Sequence, residues 1–189
     1  MSSYKRIHIY GHVSAQPQAI ANLFDAQLAS EIVAESDLAI FAINPAAGVD
    51  QKTIDQWQAL SDFQLPRLVV VNELDGSDAD FEDAIMLATR VFDQLVTPYL
   101  VLHSESGSPI ALISLSDLQI TDYSKSPPTT SASEVEHQEL VAEFREEYLD
   151  EIAGAGENAF AAGLLFPAIP IVISNGLGID VVKRFIDQL

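Results

Sequence analysis

The run Leu38-Ala39-Ile40-Phe41-Ala42-Ile43 carries no polar side chain and is closed by Asn44-Pro45. A strand with one face in water alternates polar and apolar residues, whereas a parallel strand that helices cover on both faces is apolar throughout. Two further stretches, Leu68 to Val71 and Ala168 to Ser174, are nearly as apolar. These segments therefore predict the buried centre of a parallel sheet.

Segments with helical periodicity separate these strands along the chain. Their apolar residues recur at intervals that place them on one face of a helix. The sequence predicts helices over Gln18 to Ser36, from Asp50, from Ser77, over Glu134 to Ile152 and over Ile179 to Leu189. Lys5 to Tyr10 precedes them as a half-buried strand that Gly11 ends. The alternation predicts an α/β fold: a three-layer, mostly parallel sheet with helices on both faces.

Strands that are close in sequence interrupt this alternation. Pro98 to Leu102 and Ile110 to Leu115 flank a Ser- and Gly-rich turn, and extended chain continues to Tyr123. This pattern predicts a small β-hairpin insert. Ser124 to Ser133 holds adjacent prolines and no large apolar residue, which is typical of a flexible connector. We therefore expect an α/β domain of residues 1–97 and 134–189, an inserted β subdomain of residues 98–123 and a linker of residues 124–133.

The composition is strongly acidic, because 9 Lys and Arg residues stand against 28 Asp and Glu residues, giving a net charge of −19 over 189 residues. Such a charge repels phosphate backbones and anionic lipid, so we expect no direct binding to nucleic acid and no membrane association. The absence of cysteine excludes disulfides, thiol catalysis and Cys-ligated metals. The four histidines share no ligand spacing, so no metal site is predicted. The longest apolar stretch, Ala159 to Ile173, is broken by Gly and Pro, and the chain is expected to be cytoplasmic.

The segment Glu134 to Ile152 concentrates eight of the 28 acidic residues and one base, Arg145. It also keeps apolar residues at helical spacing. We interpret the acidic residues as the solvated face of a surface helix, with a dedicated site for a basic partner as the alternative.

Three loops follow strands at the edge where parallel α/β sheets bind their ligands. They read Gly11-His12-Val13-Ser14-Ala15-Gln16-Pro17-Gln18, Asn72-Glu73-Leu74-Asp75 and Ser174-Asn175-Gly176-Leu177-Gly178-Ile179. None of the nine basic residues falls in these loops. They hold the candidate site residues.

These loops resemble those of the translational GTPases, and among them elongation factor G. The first loop is similar to the family's phosphate loop, Gly-His-Val-Asp-Ala-Gly-Lys-Thr, and Asn72 to Asp75 is similar to its Asn-Lys-Met-Asp motif. Further matches follow in the family's order: Thr53 and Trp57, Ala79-Asp80-Phe81, and Leu165-Phe166-Pro167. The resemblance spans nearly all 189 residues and implies a P-loop GTPase-like fold, a guanine nucleotide with Mg²⁺, and GTP hydrolysis.

The phosphate loop departs from the family pattern at its functional positions. A working loop needs Gly where backbone passes the phosphates, Lys for the β and γ oxygens, and a hydroxyl for Mg²⁺. Gln16, Pro17 and Gln18 stand there instead. Only 25 residues separate Gly11 from Asp37, so both family switch regions and two strands are missing. We therefore expect no catalytic residue and no GTP hydrolysis, with GTP or GDP and Mg²⁺ bound only if the altered site still holds them.

Asn72, Asp75 and Ser174 are what remains of the family's base-recognition site. In the family the aspartate accepts two hydrogens from guanine. The alternative is structural: Asn72 ends a strand, and Asp75 begins a turn. Glu73 replaces the family's lysine, and a carboxylate about 8 Å from a phosphate charge costs about 2 kcal/mol at an effective dielectric of about 20.

The missing strands would leave Lys5 to Tyr10 at the edge of the sheet, and such edges invite pairing. We expect this edge, or the adjacent helix Gln18 to Ser36, to bind a second copy or another protein, including a ribosomal protein. The leading hypothesis is an elongation factor G-like domain, degenerate and non-hydrolysing, that acts as a protein-binding or scaffolding module. The alternatives are a guanine-nucleotide-binding domain of a translation elongation factor that uses Asn72 and Asp75, and an unrelated α/β interaction domain.

Overall fold

A computed structural model describes residues 4–76 and 80–189. Its strands are β1 (Ile7–Gly11), β2 (Gln27–Leu28), β3 (Leu38–Ile43), β4 (Arg67–Val71), β5 (Leu95–Val96), β6 (Tyr99–His103), β7 (Pro109–Ser114), β8 (Gln119–Asp122), β9 (Thr129–Ala132) and β10 (Phe166–Pro170). Its α-helices are α1 (Pro17–Leu23), α2 (Gln51–Ser61), α3 (Phe81–Val91), α4 (Val135–Leu140), α5 (Ala142–Ala155) and α6 (Ile179–Ile186).

The main sheet has six strands in the order β2-β1-β3-β4-β10-β5, and all neighbouring pairs are parallel. Every residue of β3 and β4 is buried, as expected for strands covered on both faces. In register, Tyr10 pairs with Phe41, and Phe41 with Val69, so the centre of the sheet is the centre of the core. The prediction of a mostly parallel α/β fold is confirmed.

An aromatic cluster encloses a buried cation at one side of this core. Phe41 and Trp57 meet edge to face with centroids 4.9 Å apart, and Trp57 stacks on Phe92 at 4.4 Å. The guanidinium carbon of Arg67 lies 4.2 Å from the Trp57 ring centre and 4.3 Å from that of Phe166. Arg67 also donates to the Trp57 carbonyl at 3.0 Å, so it is buried without losing all its hydrogen bonds.

The segment predicted as a hairpin and a flexible connector forms a four-stranded antiparallel sheet in the order β6-β7-β8-β9. The interpretation of residues 124–133 as a connector is wrong for Thr129–Ala132, because this stretch pairs with β8, Thr121 lying opposite Thr130. Its polar, β-branched residues are exposed, so no apolar alternation marks the strand. Val141 packs with Leu100 and Ile113 of this sheet in a second small core.

The prediction of one helix over Gln18 to Ser36 is wrong, because α1 ends at Leu23. Asp25 adopts a left-handed conformation with φ of 51°, and the Ala26 N–H donates to the Ala21 carbonyl at 2.9 Å. These are features of a Schellman-type helix end, which turns the chain away from the helix axis. The apolar residues that continue the helical spacing are consequently exposed, Leu28 at 47% and Ile32 at 39%.

Strand β1 does not form the edge of the sheet, contrary to expectation. The short β2 lies outside it, with His8 paired to Gln27 and Ile9 to Leu28. The Ala29 N–H adds a bond of 2.9 Å to the Ile9 carbonyl. The chain that leaves α1 therefore supplies the outer pairing that the missing strands would give, and the open edge on this side is β2.

Other predicted elements also differ in their bounds: β10 covers Phe166–Pro170, α6 ends at Ile186, and two further helices show why their bounds differ. The helix expected over Glu134 to Ile152 is two helices, because Val141 leaves helical geometry and inserts into the small core. The helix expected from Ser77 begins at Phe81, where the Asp80 side chain accepts from the Glu82 N–H at 2.9 Å, and Ser77 itself lies outside the described residues.

Candidate functional site

Hydrogen bonds bring the loops after β1, β3 and β4 together at the carboxyl edge of the sheet. The Asn44 amide donates to the Ser14 carbonyl at 2.9 Å, and the Asn72 amide donates to the Ala15 carbonyl at 2.9 Å. The Gln16 amide donates to the Glu73 carboxylate. Asn44 and Asn72 directly follow the ends of β3 and β4, and Gln16 and Glu73 lie in the loops after β1 and β4. The parallel topology therefore predicts that these side chains lie close together.

The loop after β1 starts with a glycine that the packing requires. Gly11 has φ of 150°, and a Cβ there would lie 2.4 Å from the Ala42 carbonyl oxygen of the neighbouring strand. Its neighbour His12 caps a short 3-10 turn over Val13–Ala15, with Nδ1 accepting from the Ser14 N–H at 3.2 Å. His12 therefore has a local structural contact within the loop.

Gln16 and Pro17 close the loop and start α1. Gln16 is left-handed, with φ of 53° and ψ of 51°, and its exposed side chain reaches Glu73. Pro17 is the buried first residue of the helix and has no N–H to offer a ligand. Gln18 is exposed, and its amide donates to the Asn22 side chain at 3.2 Å. The loop's amide side chains thus bind other protein groups.

Asn72 and Asp75 differ sharply in environment. Asn72 is 2% exposed, and its amide holds the first loop, whereas Asp75 is exposed in a turn closed by a Gly76 N–H bond of 3.2 Å to the Glu73 carbonyl. Glu73 takes a left-handed φ of 64° within this turn. The structure therefore gives Asn72 a structural contact and leaves the Asp75 side chain at the surface.

Ser174 lies apart from this network in the exposed turn after β10. Its neighbour Asn175 fixes the loop, donating to the Pro109 carbonyl at 3.0 Å and accepting from the Leu177 N–H at 3.0 Å. Among the described residues, no hydrogen bond joins Ser174 to the other two loops. The hydrogen bond to Pro109 of β7 thus positions this loop against the small sheet.

Lys52 is the site residue that sequence reasoning missed. A cleft of about 580 Å³ lies beside the first loop, and its lining includes Gln16, Gln18 and Ser30 together with Lys52 of α2. The sequence places no basic residue within these loops, but Lys52 reaches the cleft from α2. The one available signal is that Asp50 starts a helix after β3, which places the first turn of α2 at the same edge of the sheet.

The site contains few groups for acid–base or metal chemistry. Among residues 4–76 and 80–189, no cluster of three or more His, Asp or Glu side chains is placed to hold a metal ion. In the same described part of the chain, no helix is long and apolar enough to span a membrane. The arrangement offers amide side chains, the carboxylates of Glu73 and Asp75, the imidazole of His12 and one ammonium at Lys52.

The parallel sheet, with a tight loop and helix after β1 and an Asn-x-x-Asp loop after β4, has the arrangement of a P-loop GTPase-like fold. A crystal structure of a Thermus thermophilus protein shares this fold, with a TM-score of 0.71 and 21% identity, covering 82% of this chain and 26% of the other. No protein-family model matches the chain.

Within that class the chain is a translational-GTPase-related domain. It is 31% identical over 164 residues to the elongation factor G-like protein of Mycobacterium tuberculosis, covering 76% of this chain and 23% of that protein. It is 25% identical over 126 residues to the mitochondrial ribosome-releasing factor 2 of Drosophila melanogaster, covering 62% of this chain and 17% of the relative. The chain therefore spans less than a quarter of the length of these relatives. The relation argues against the alternative of an unrelated interaction domain.

Proposed function

We propose that this chain is a degenerate, non-hydrolysing elongation factor G-like domain of the cytoplasm that acts as a protein-binding or scaffolding module. The observation that carries the proposal is the loop after β1. There Gln16 and Pro17 occupy the phosphate-binding positions, and the Gln16 side chain is bound to Glu73.

The residues at this loop do not fit a nucleoside triphosphate with Mg²⁺. Pro17 removes both the lysine ammonium and a backbone N–H, and Gln18 offers no hydroxyl to a metal. The Glu73 carboxylate adds repulsion on the side where the phosphates would pass. Lys52 supplies one ammonium in the adjoining cleft. It can replace the missing lysine charge, but not the missing backbone N–H or the missing hydroxyl. We therefore expect no GTP hydrolysis at this loop.

Nucleotide titration tests the proposal. We expect no GTP turnover above background and no heat of binding for GTP, GDP or guanosine in calorimetry. A GTPase activity that Asp75→Ala abolishes would refute it. Asp62→Ala, an exposed carboxylate at the far end of α2, is the matched control for a nonspecific effect of charge removal.

A second candidate function is guanine binding through Asn72 and Asp75. The exposure of Asp75 favours it, because the carboxylate lies at the surface of the turn after β4. A base-only site would bind guanosine, GDP and GTP with similar affinity, and adenosine more weakly. Asp75→Asn should then weaken all three guanine ligands equally, since an amide cannot accept two hydrogens in the way a carboxylate does.

The protein partner is proposed to bind on the β2 side of the sheet. Leu28 of β2 is exposed at this open edge, and the exposed Val13 lines the same cleft as Leu28. Ile32, four residues further along the chain, is exposed as well. A second copy, another protein or a ribosomal protein would bury them. Light scattering across micromolar concentrations distinguishes the first case, since Leu28→Glu should then shift the chain toward monomer. A monodisperse monomer at all concentrations would contradict self-pairing and leave a different protein as the partner.

We also propose that residues 98–133, which hold β6 to β9, form a subdomain inserted between the two parts of the α/β domain. Its four strands pair with one another in a sheet separate from the main sheet, which supports this division. Limited proteolysis that cut within 98–133 and left residues 4–97 and 134–189 associated would be the expected result.

A further inference from the structure

Helices α3 and α5 form two walls of an apolar groove that shares no lining residue with the candidate site. Its volume is about 550 Å³, within the range of about 300 to 1,000 Å³ typical of small-molecule sites. The apolar lining includes Phe81, Ile85, Met86, Leu95, Leu100 and Phe144.

The walls of this groove are incompletely packed. Phe144 is 43% exposed and Met86 is 55% exposed, while Leu100, which also lines the groove, is buried. Helix α5 has no fully buried residue, although Phe144 and Tyr148 lie one turn apart on one face. The groove therefore presents aromatic rings to solvent.

Three carboxylates also line the groove, against one base. Glu82 lies on α3, Glu147 and Glu151 lie on α5, and the base is Arg90. Glu151 accepts from the Gln94 amide at 3.0 Å, and burial raises the pKa of Glu151 above its ordinary value. A cation placed between these walls would therefore gain the partly buried carboxylates of Glu82 and Glu151, with the exposed carboxylate of Glu147 beside them.

We propose that the groove binds a small organic cation, in which an ammonium group is joined to an apolar body. The carboxylates of Glu147 and Glu151 bind the ammonium group. The rings of Phe144 and Tyr148 pack against the apolar body and turn their faces toward the cation. Along α3 the lining runs from Phe81 to Arg90, about 13 Å at 1.5 Å per residue. This length suits a small amine better than an extended polypeptide.

The first test compares 2-phenylethylamine with its neutral isostere 2-phenylethanol, by calorimetry or NMR titration at pH 8 and low salt. We expect the amine to bind at least about tenfold more tightly, because only the amine carries a charge. Equal affinity for the two compounds, or no binding of the amine, would overturn the proposal. So would a Lys-rich helical peptide that binds the groove when the amine does not.

Variants locate the site. Glu147→Gln with Glu151→Gln should weaken amine binding at least about tenfold, and Phe144→Ala should weaken both amine and alcohol. Glu143→Gln is the matched control, since Glu143 lies on α5 but does not line the groove, and its effect should stay within about twofold. If Glu143→Gln weakens binding as much as the double variant, the general acidity of the chain is responsible and the proposed site is wrong.

A proton readout supports the assignment independently of affinity. Burial raises the pKa of Glu82 to about 7. The charged groups that face it are Asp80 and Asp83 on its own helix and Arg90, Glu147 and Glu151 around the groove. A bound cation favours ionised Glu82, so amine binding at pH 7 should release protons, and its calorimetric enthalpy should depend on the buffer. Glu82→Gln should reduce that dependence, and a part should remain because the pKa of Glu151 is also raised. An unchanged dependence in this variant would contradict a cation bound in the groove beside Glu82.

Discussion

Gly178 is the glycine at which an added Cβ would make the closest contact among the described residues. It has φ of 78°, and a Cβ there would lie 1.9 Å from the Pro170 carbonyl oxygen at the end of β10. Gly178→Ala should lower the free energy of unfolding by about 2 to 4 kcal/mol, because the clash is with backbone that cannot rotate away. Urea denaturation measures this loss.

Gly176 is the matched control two residues earlier. It has φ of 80°, but a Cβ at this position would meet no atom within 4 Å. Gly176→Ala should therefore cost only the left-handed conformation, about 1 kcal/mol. Equal losses for the two variants would show that close approach to Pro170 does not limit position 178.

Arg67 is the second residue with an unusual environment, since it is 3% exposed between two aromatic rings. Its guanidinium also lies 3.4 Å from Asp93. Arg67→Lys should destabilise by about 2 kcal/mol, because an ammonium cannot stack between Trp57 and Phe166 and donate at the same time. Thermal unfolding checks the loss, and emission from Trp57, the single tryptophan, reports whether its surroundings change. Exposed Arg90→Lys should stay within about 0.5 kcal/mol.

At the scale of elements, the end of α1 decides how the chain covers β1. Asp25 holds a left-handed conformation that glycine adopts without strain. Asp25→Gly should therefore leave stability unchanged or raise it by up to about 1 kcal/mol. The same substitution inside α2, Asp55→Gly, should lower it by about 1 kcal/mol. Chemical denaturation of both variants tests this, and two losses of equal size would contradict a helix end at Asp25.

The buried central strands were predictable and the end of α1 was not, for one physical reason. A buried parallel strand such as β3 is apolar at all six positions, which the sequence displays directly. The segment after Phe24 keeps apolar residues at helical spacing, but Leu28 and Ile32 are exposed in the structure. Aspartate can adopt the left-handed conformation, but unlike glycine it is not a clear sequence signal for a helix end. The apolar periodicity therefore predicted a helix longer than α1.

At the scale of the whole molecule, the approximate place of the candidate site was predictable because topology fixes it. Loops after neighbouring parallel strands meet at one edge, and the Asn72 contact with the first loop follows from that rule. Lys52 was not predictable from loop composition, because it enters from α2. The groove between α3 and α5 was likewise hidden, since it depends on how two helices far apart in sequence are placed.

The pH dependence of stability is a property of the whole acidic molecule in which Glu82 stands out. Its pKa is about 7 in the folded chain against 4.5 ordinarily, because burial disfavours the ionised carboxylate. Between these values the folded state holds more protons than the unfolded state, so stability should fall as pH rises from about 4.5 to about 7. The Arg6 ion pair lowers the pKa of Asp37, and its contribution is lost only at more acidic pH.

Thermal unfolding at pH 5 and pH 8 isolates the Glu82 contribution. The unmodified chain should have the higher Tm at pH 5, and Glu82→Gln should shrink the difference, because the neutral amide needs no proton to stay partly buried. Glu143→Gln removes the same formal charge from an exposed position on α5 and should keep most of the difference. If both variants shrink it equally, the repulsion among the 28 acidic residues governs the pH dependence rather than the burial of Glu82.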